Sequence, residues 1–161
     1  MAKPSLATVF GRTTPHGMVS YALRYAEAAM TLAHVNAQRF ANPAYYLAGH
    51  SIELSLKAFL MARGTIGIDA FRKAYNHDLE KLMKEARRRK LGRVVKIDRR
   101  IDLQLQGLNK EYSGNDYPLK YIRTGLHFFP NLELLTNFAV HLATGLRRYC
   151  ERATVKTRKR R

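Results

Sequence analysis

The chain has 161 residues, of which 46% are hydrophobic, and its 29 Lys and Arg against 12 Asp and Glu give a formal net charge of +17. This length suits one domain with a substantial core, and the composition is too apolar for a disordered chain. The positive charge is expected to attract polyanions. Cys150 is the only cysteine, which excludes an intrachain disulfide and fits a reducing, cytoplasmic location.

Membrane association is not expected. No uncharged run reaches the roughly 18 residues that a membrane-spanning helix needs. The first residues, MAKPSLATVFGRTTPHG, contain no long apolar stretch, so we expect no signal peptide. Residues 1–16 carry turn-forming Gly11 and Pro15 and are predicted to be an irregular N-terminal segment.

The first predicted helix spans roughly residues 17–40. Its apolar residues recur at steps of four and three, which places them on one helical face: Met18, Ala22, Tyr25, Ala29 and Leu32. The join to the next helix, at residues 41–42, is very short. We therefore expect these two helices to be antiparallel neighbours.

The second predicted helix, residues 42–64, is the centre of the predicted fold. Asn42 suits the N-cap, Pro43 the first helical position and Gly64 the left-handed position after the C-terminus. Arg63 is placed to interact with the negative end of this helix. Apolar residues cover nearly its whole circumference, which is typical of a helix in the core of a bundle.

A polar stripe interrupts this apolar helix. His50, Glu53 and Lys57 follow one another at spacings of three and four, so they share one face, and Glu53 and Lys57 are ordered for an ion pair. The stripe is either a buried ion pair with a histidine that fixes helix packing, or a surface facing a cleft or a dimer partner. Helical di-iron sites use Glu-x-x-His on two helices, and here the order is reversed and single, so we predict no metal site and no cofactor.

Two shorter helices are predicted next. The third begins with Asn76 or His77 as its N-cap and ends in the basic run 87–90. The fourth covers roughly residues 98–112. The residues predicted to face the core are Leu79, Leu82, Met83 and Ala86 in the third helix, and Ile101, Leu105, Leu108 and Tyr112 in the fourth.

A long aromatic-rich connection, residues 113–130, precedes the last helix. Connections of this length in compact domains are often functional. The last helix is predicted to begin after an Asn131 N-cap and to end near Arg152, followed by a disordered basic tail, residues 153–161. The predicted fold is thus all-α, a compact up-and-down bundle of four to five helices within residues 17–152.

Positive charge is concentrated between residues 84 and 100. Apart from Lys84, the basic residues of this stretch are candidates for phosphate binding: Arg87, Arg88, Arg89, Lys90, Arg93, Lys96, Arg99 and Arg100. The stretch contains no aromatic residue, so it would contact phosphate without reading bases. The alternative is that it is only a solvated helix end and loop.

Three phrases of the sequence, in this order, resemble the HEPN superfamily (higher eukaryotes and prokaryotes nucleotide-binding domain). They are ELSLKAFL at residues 53–60, HDLEKL at 77–82 and YIRTG at 121–125, and the similarity extends over residues 17–152. The resemblance implies a helical bundle that is often dimeric. It also implies either a metal-independent endoribonuclease or a member without that activity that binds a partner.

HEPN ribonucleases usually carry an Arg followed, after four to six residues, by a His near the dimer seam. In that chemistry the histidine activates a ribose hydroxyl and the arginine stabilises the phosphorane. The nearest candidates here are Arg123 and His127, which have only three residues between them, and Arg72 and His77, which have four but precede the third helix. Neither pair matches the motif in its expected context.

Three functions remain open from the sequence. The first is a homodimeric module that binds RNA or nucleotide phosphates without catalysis. The second is a metal-independent endoribonuclease of toxin or phage-defence type, with Arg123 and His127 as its catalytic residues. The third is a module that pairs with a protein that masks its charge, such as an acidic antitoxin or a nucleotidyltransferase.

Overall fold

The computed structural model describes residues 13–64, 74–113, 119 and 130–158, with side chains to residue 156. These residues form helices and connecting turns, with no strand among them, so the predicted all-α bundle is confirmed. The helical segment Pro15–Ala62 is divided by non-helical backbone at Asn36 and Phe40. We call its two parts α1 (15–35) and α2 (41–62). The remaining elements are α3 (Leu79–Arg88), a 3-10 turn (Leu91–Arg93), α4 (Ile101–Tyr112) and α5 (Leu132–Arg158).

Helices α1 and α2 form an antiparallel hairpin, as predicted. The Ser51 hydroxyl donates a 2.7 Å hydrogen bond to the Ala22 carbonyl, and the rings of Tyr25 and His50 lie 4.7 Å apart. The predicted position of the join is wrong, because the chain turns at residues 36–40. Asn36 accepts a 2.9 Å hydrogen bond from the Arg39 amide and so caps the short turn that leads into α2, whereas Asn42 was expected to be the N-cap of that helix.

The consequence for Asn42 and Pro43 is that both lie inside the helical segment. Pro43 is only three residues beyond the non-helical Phe40, in the first turn of α2. The amides of a first turn have no intrahelical acceptor, so the missing N–H of a proline is tolerated there. At the other end of α2, Gly64 has φ +67°, which confirms its predicted left-handed conformation.

Both ends of the bundle extend further than predicted. Helix α1 begins at Pro15, because the Thr14 side chain accepts a 3.0 Å hydrogen bond from the Gly17 amide and Pro15 suits the first position. Helix α5 continues to Arg158, so the prediction of a disordered tail is wrong for residues 153–158. Thr154 is buried there, and its hydroxyl accepts a 3.2 Å hydrogen bond from the His16 amide.

The N-cap of α3 also differs from the prediction. Asp78, rather than Asn76 or His77, accepts a 3.0 Å hydrogen bond from the Lys81 amide. The Asn131 cap of α5 is confirmed by its 2.8 Å bond from the Leu134 amide. Arg63 was expected to interact with the C-terminal end of α2. Its guanidinium instead donates to the carbonyl of Arg89, directly after α3, at 2.8 and 3.1 Å.

The core lies between the α1–α2 hairpin and α5, which share the most extensive contact between elements. The apolar faces predicted for α3 and α4 are all buried, and α2 is buried around most of its circumference. The largest fully buried side chains include Ile52, Leu56, Phe59, Leu79, Leu82, Leu105, Leu108, Leu135, Leu142 and Leu146. No helix among the described residues combines the length and the apolar character that a membrane crossing requires.

Residues 89–100, between α3 and α4, are held against α5 at two points. A Cβ atom at Gly145 would lie 2.7 Å from Cγ2 of Val95, so Val95 occupies the space that a glycine in α5 leaves open. One residue later, the Lys96 carbonyl lies 2.8 Å from Nε2 of His141. The loop after α3 is therefore docked on the bundle.

The contact between Gly145 and Val95 predicts that one substitution changes the free energy of unfolding in opposite directions in two backgrounds. Gly145→Ala should lower the free energy of unfolding, because the overpacking cost of about 1–3 kcal/mol exceeds the roughly 1 kcal/mol gained in helix propensity. In a Val95→Ala background the same substitution should be stabilising, since only the propensity gain remains. Urea unfolding of the four proteins measures both effects, and an equal effect of Gly145→Ala in both backgrounds would contradict the proposed contact.

Candidate functional site

A buried carboxylate organises the most polar part of the interior. Glu53 is only 2% exposed. Its Oε1 accepts a hydrogen bond from Lys57 Nζ and lies 3.1 Å from Nδ1 of His77, and its Oε2 accepts a 2.5 Å hydrogen bond from the Tyr112 hydroxyl. Nδ1 of His50 lies 3.8 Å from Oε2. We call these five residues the Glu53 cluster.

Three separate segments supply the cluster. The predicted stripe of α2 provides His50, Glu53 and Lys57, and the predicted ion pair between Glu53 and Lys57 is present. His77 lies just before α3, and Tyr112 is the last residue of α4. Lys57 also donates a 3.2 Å hydrogen bond to the carbonyl of Asn76, which strengthens the link between α2 and the chain entering α3.

Sequence reasoning missed His77 and Tyr112 as members of this cluster. His77 was interpreted as a possible helix cap and Tyr112 as an ordinary core residue. The sequence held one indication for His77. Asp78 is a better N-cap than histidine, so His77 was not needed as the cap of the third helix. For Tyr112, a glycine in the opposing helix was the indication: a Cβ at Gly49 would lie 2.7 Å from the Tyr112 ring. That close approach lets the ring pack on the α2 backbone one turn before Glu53.

The surroundings of Glu53 determine the charge state of the cluster. Burial alone would raise the pKa of Glu53, but the neighbouring His50, the hydrogen bonds with His77 and Lys57 and the Lys57 charge hold it well below the usual range of a glutamate. Burial and the nearby Glu53 charge raise the pKa of Tyr112 above that of a free tyrosine. The carboxylate is thus a fixed acceptor, and Tyr112 is a fixed donor rather than an acid.

His50 connects the cluster to a cavity between α1 and α2. Its Nδ1 lies 3.3 Å from the Tyr112 hydroxyl, and its ring packs edge-on against Tyr25 and parallel to Tyr46, 6.2 Å away. The cavity has a volume of about 360 Å³. Its lining consists of Thr13, Thr14, Gly17, Met18, Tyr21, Tyr25, His50 and Leu54.

The basic residues predicted to bind phosphate fall into two groups. Arg87 pairs with Asp102, Arg88 and Arg89 with Glu85, and Arg100 with Asp98. Hydrogen bonds from both arginines lower the pKa of Glu85 to about 2. The other group is exposed and forms no ion pair with the described part of the chain: Lys90, Arg93, Lys96 and Arg99, joined by Lys84. We call Lys84–Arg100 the basic segment.

The predicted catalytic pair, Arg123 and His127, lies outside the described residues, and so does Arg72. His77, which the sequence pairs with Arg72, is described and belongs to the Glu53 cluster. Among the residues that the structure describes, no group of three or more His, Cys, Asp or Glu side chains is arranged to hold a metal ion. Cys150 is buried, which raises the pKa of its thiol to about 12 and leaves it unreactive.

Comparisons with family models, with curated proteins and with solved structures find no match to this chain. The likeness to the HEPN superfamily therefore remains a resemblance carried by the three sequence phrases. The described geometry adds three candidate features: the Glu53 cluster, the cavity beside His50 and the docked basic segment.

The ionisation of Glu53 predicts how stability depends on pH. In the unfolded chain a glutamate takes up its proton near pH 4.3, whereas the folded protein holds Glu53 ionised to lower pH. The unfolded state therefore binds more protons in acid, so the stability that Glu53 contributes is present above about pH 5 and is lost as the pH falls. Glu53→Gln should flatten this dependence.

The measurement is the free energy of urea unfolding of both proteins between about pH 3 and pH 7. Glu27→Gln is a suitable control, since the side chain of Glu27 is exposed on α1, away from the cluster. Equal slopes for the Glu53→Gln variant and the unmodified protein in acid would show that Glu53 is not held ionised by the cluster.

Proposed function

We propose that this protein is an HEPN-like helical bundle of the cytoplasm that binds RNA or nucleotide phosphates through the basic segment, as a homodimer and without catalysis of its own. One observation carries the proposal: exposed cations without ion pairs in the described chain lie on a segment that is docked against α5. Phosphate is the ligand that a fixed array of exposed Lys and Arg side chains attracts.

The division of the basic segment into paired and unpaired residues supports this proposal. Arg87 joins α3 to α4 through two hydrogen bonds to Asp102, 2.6 and 3.0 Å long, so its charge is compensated within the fold. Arg93, Lys96 and Arg99 keep their charge for a ligand. A surface that needed positive charge only for solubility would not require the segment to be anchored at Val95 and Lys96.

The Glu53 cluster supports the same surface from the interior. It fixes the entry to α3 through His77 and the end of α4 through Tyr112. Asn109 adds to this connection, since its side chain accepts a 2.8 Å hydrogen bond from the Leu79 amide and donates to Asp78 at 3.1 Å. The cluster is therefore proposed to be a positioning element for α3 and the basic segment that follows it.

Removal of two unpaired cations should weaken RNA binding in a salt-dependent way. The double variant Arg93→Ala/Lys96→Ala loses two phosphate contacts, so the slope of log K against log salt should fall by about 1.4 for single-stranded RNA. The matched control Arg39→Ala/Lys110→Ala removes the same charge from exposed positions outside the basic segment. Fluorescence anisotropy across a salt series measures both, and equal losses would overturn the assignment of the surface.

The same RNA, incubated in EDTA and analysed on a gel, separates this proposal from the ribonuclease. Intact RNA with a salt-sensitive shift is the expected result. Discrete products that disappear in Arg123→Ala or His127→Ala would instead establish the metal-independent endoribonuclease. A gel that shows no shift and no cleavage would overturn RNA binding. Attention would then move to an acidic protein partner, such as an antitoxin or a nucleotidyltransferase.

The homodimer is proposed from the HEPN resemblance and is tested separately. One chain has a mass of 18.5 kDa, so sedimentation equilibrium at tens of micromolar protein should give twice that value. Moderate salt should be present throughout, because a charge of +17 opposes self-association at low ionic strength. A monomer under these conditions would contradict the dimer while leaving the RNA experiment unaffected.

A further inference from the structure

We infer that the cavity between α1 and α2 is a nucleobase-binding site, in which tyrosine rings provide the stacking surface and His50 provides a hydrogen bond to the base edge. The inference does not depend on phosphate binding by the basic segment. It adds the element that the basic segment lacks, since residues 84–100 contain no aromatic ring on which a base could stack.

The lining of the cavity combines tyrosine rings with apolar side chains, a surface that suits a planar heterocycle. Tyr21 is 58% exposed, although large aromatic side chains are usually well buried, and Tyr25 lies one turn further along α1 on the same side. Met18 and Leu54 provide the apolar remainder of the wall. The volume of about 360 Å³ is within the range of sites for small organic ligands, about 300–1,000 Å³.

Contacts with the interior fix the orientation of the His50 ring. Its Nδ1 faces the Tyr112 hydroxyl at 3.3 Å and Glu53 at 3.8 Å, and its ring is fixed between Tyr25 and Tyr46. Because Nδ1 is committed to the interior, Nε2, on the opposite side of the ring, is the nitrogen with which His50 can bind a ligand in the cavity that it lines.

Chemical selectivity follows from this combination of groups. Stacking on tyrosine requires a flat π-face, which sugars and aliphatic ligands lack. The hydrogen bond to His50 requires a polar edge, which the side chain of phenylalanine lacks. The guanidinium of Arg24 lies over one face of the exposed Tyr21 ring, 5.4 Å from its centroid, and places a positive charge beside that ring. A nucleobase satisfies the requirements for a flat π-face and a polar edge.

The test uses uncharged nucleosides, because they carry no phosphate for the basic segment to bind. Adenosine, guanosine, cytidine and uridine are titrated into the full chain by isothermal titration calorimetry. At least one should bind, and Tyr21→Ala should weaken it about tenfold or more through loss of stacking. Tyr21→Phe keeps the ring and should bind like the unmodified protein. Both substitutions are at an exposed position, so the fold should tolerate them.

Two further arms separate this inference from the proposed function and identify the source of the base. Arg93→Ala/Lys96→Ala should leave nucleoside binding unchanged while weakening RNA binding. If the base belongs to RNA, Tyr21→Ala should also weaken binding of a short single strand at moderate salt. If it belongs to a free nucleotide, only nucleoside and nucleotide binding should fall. Absence of binding by all four nucleosides, or equal binding by Tyr21→Ala and Tyr21→Phe, would overturn the site.

Discussion

The structure depends on the solvation of one buried carboxylate. A charged group removed from water loses several kcal/mol of solvation unless fixed dipoles and charges replace the water. For Glu53 these replacements come from Lys57, His77 and Tyr112, which belong to three different parts of the chain. No single element can satisfy the hydrogen-bonding needs of Glu53. The carboxylate can therefore be buried only when α2, α4 and the start of α3 are correctly placed relative to one another.

The docking of the basic segment follows from this placement together with two contacts on the other side. Helix α3 is held at its start by His77 and Asn109, and its end is met by Arg63, which donates to the Arg89 carbonyl. The residues that follow are fixed on α5 by Val95 and by the Lys96 carbonyl. A loop with this many anchors presents its cations in a defined arrangement, which lowers the entropic cost of ordering them around a ligand.

Much of the fold was predictable, because helix periodicity and composition are local signals. The buried faces of α3 and α4 were both visible as apolar repeats. The errors arose where the outcome depends on distant residues. Asn42 carries a local capping signal because Pro43 follows it, yet the hydrogen-bonded cap lies at Asn36, where the hairpin turns. Thr154 extends α5 through a bond to His16, 138 positions away, which no local pattern in a basic tail reveals.

The candidate site was predictable only in part, for the same reason. The stripe of His50, Glu53 and Lys57 is a local pattern of one helix, so its shared face could be predicted from spacing. Tyr112, 59 positions from Glu53, could not be assigned to it in this way. The pair Arg123 and His127 stays a prediction, because those residues lie outside the described chain.

The two proposed binding regions share this carboxylate. Through His77 and Lys57, Glu53 fixes the chain that enters α3 and leads to the basic segment; through His50, it fixes one wall of the cavity. A change in the charge of Glu53 would therefore act on both regions at once, whereas changes at Tyr21 or Arg93 act on one each. If the phosphate surface and the base cavity serve one ligand, Glu53 is the group that couples them, and its substitution should alter both kinds of binding together.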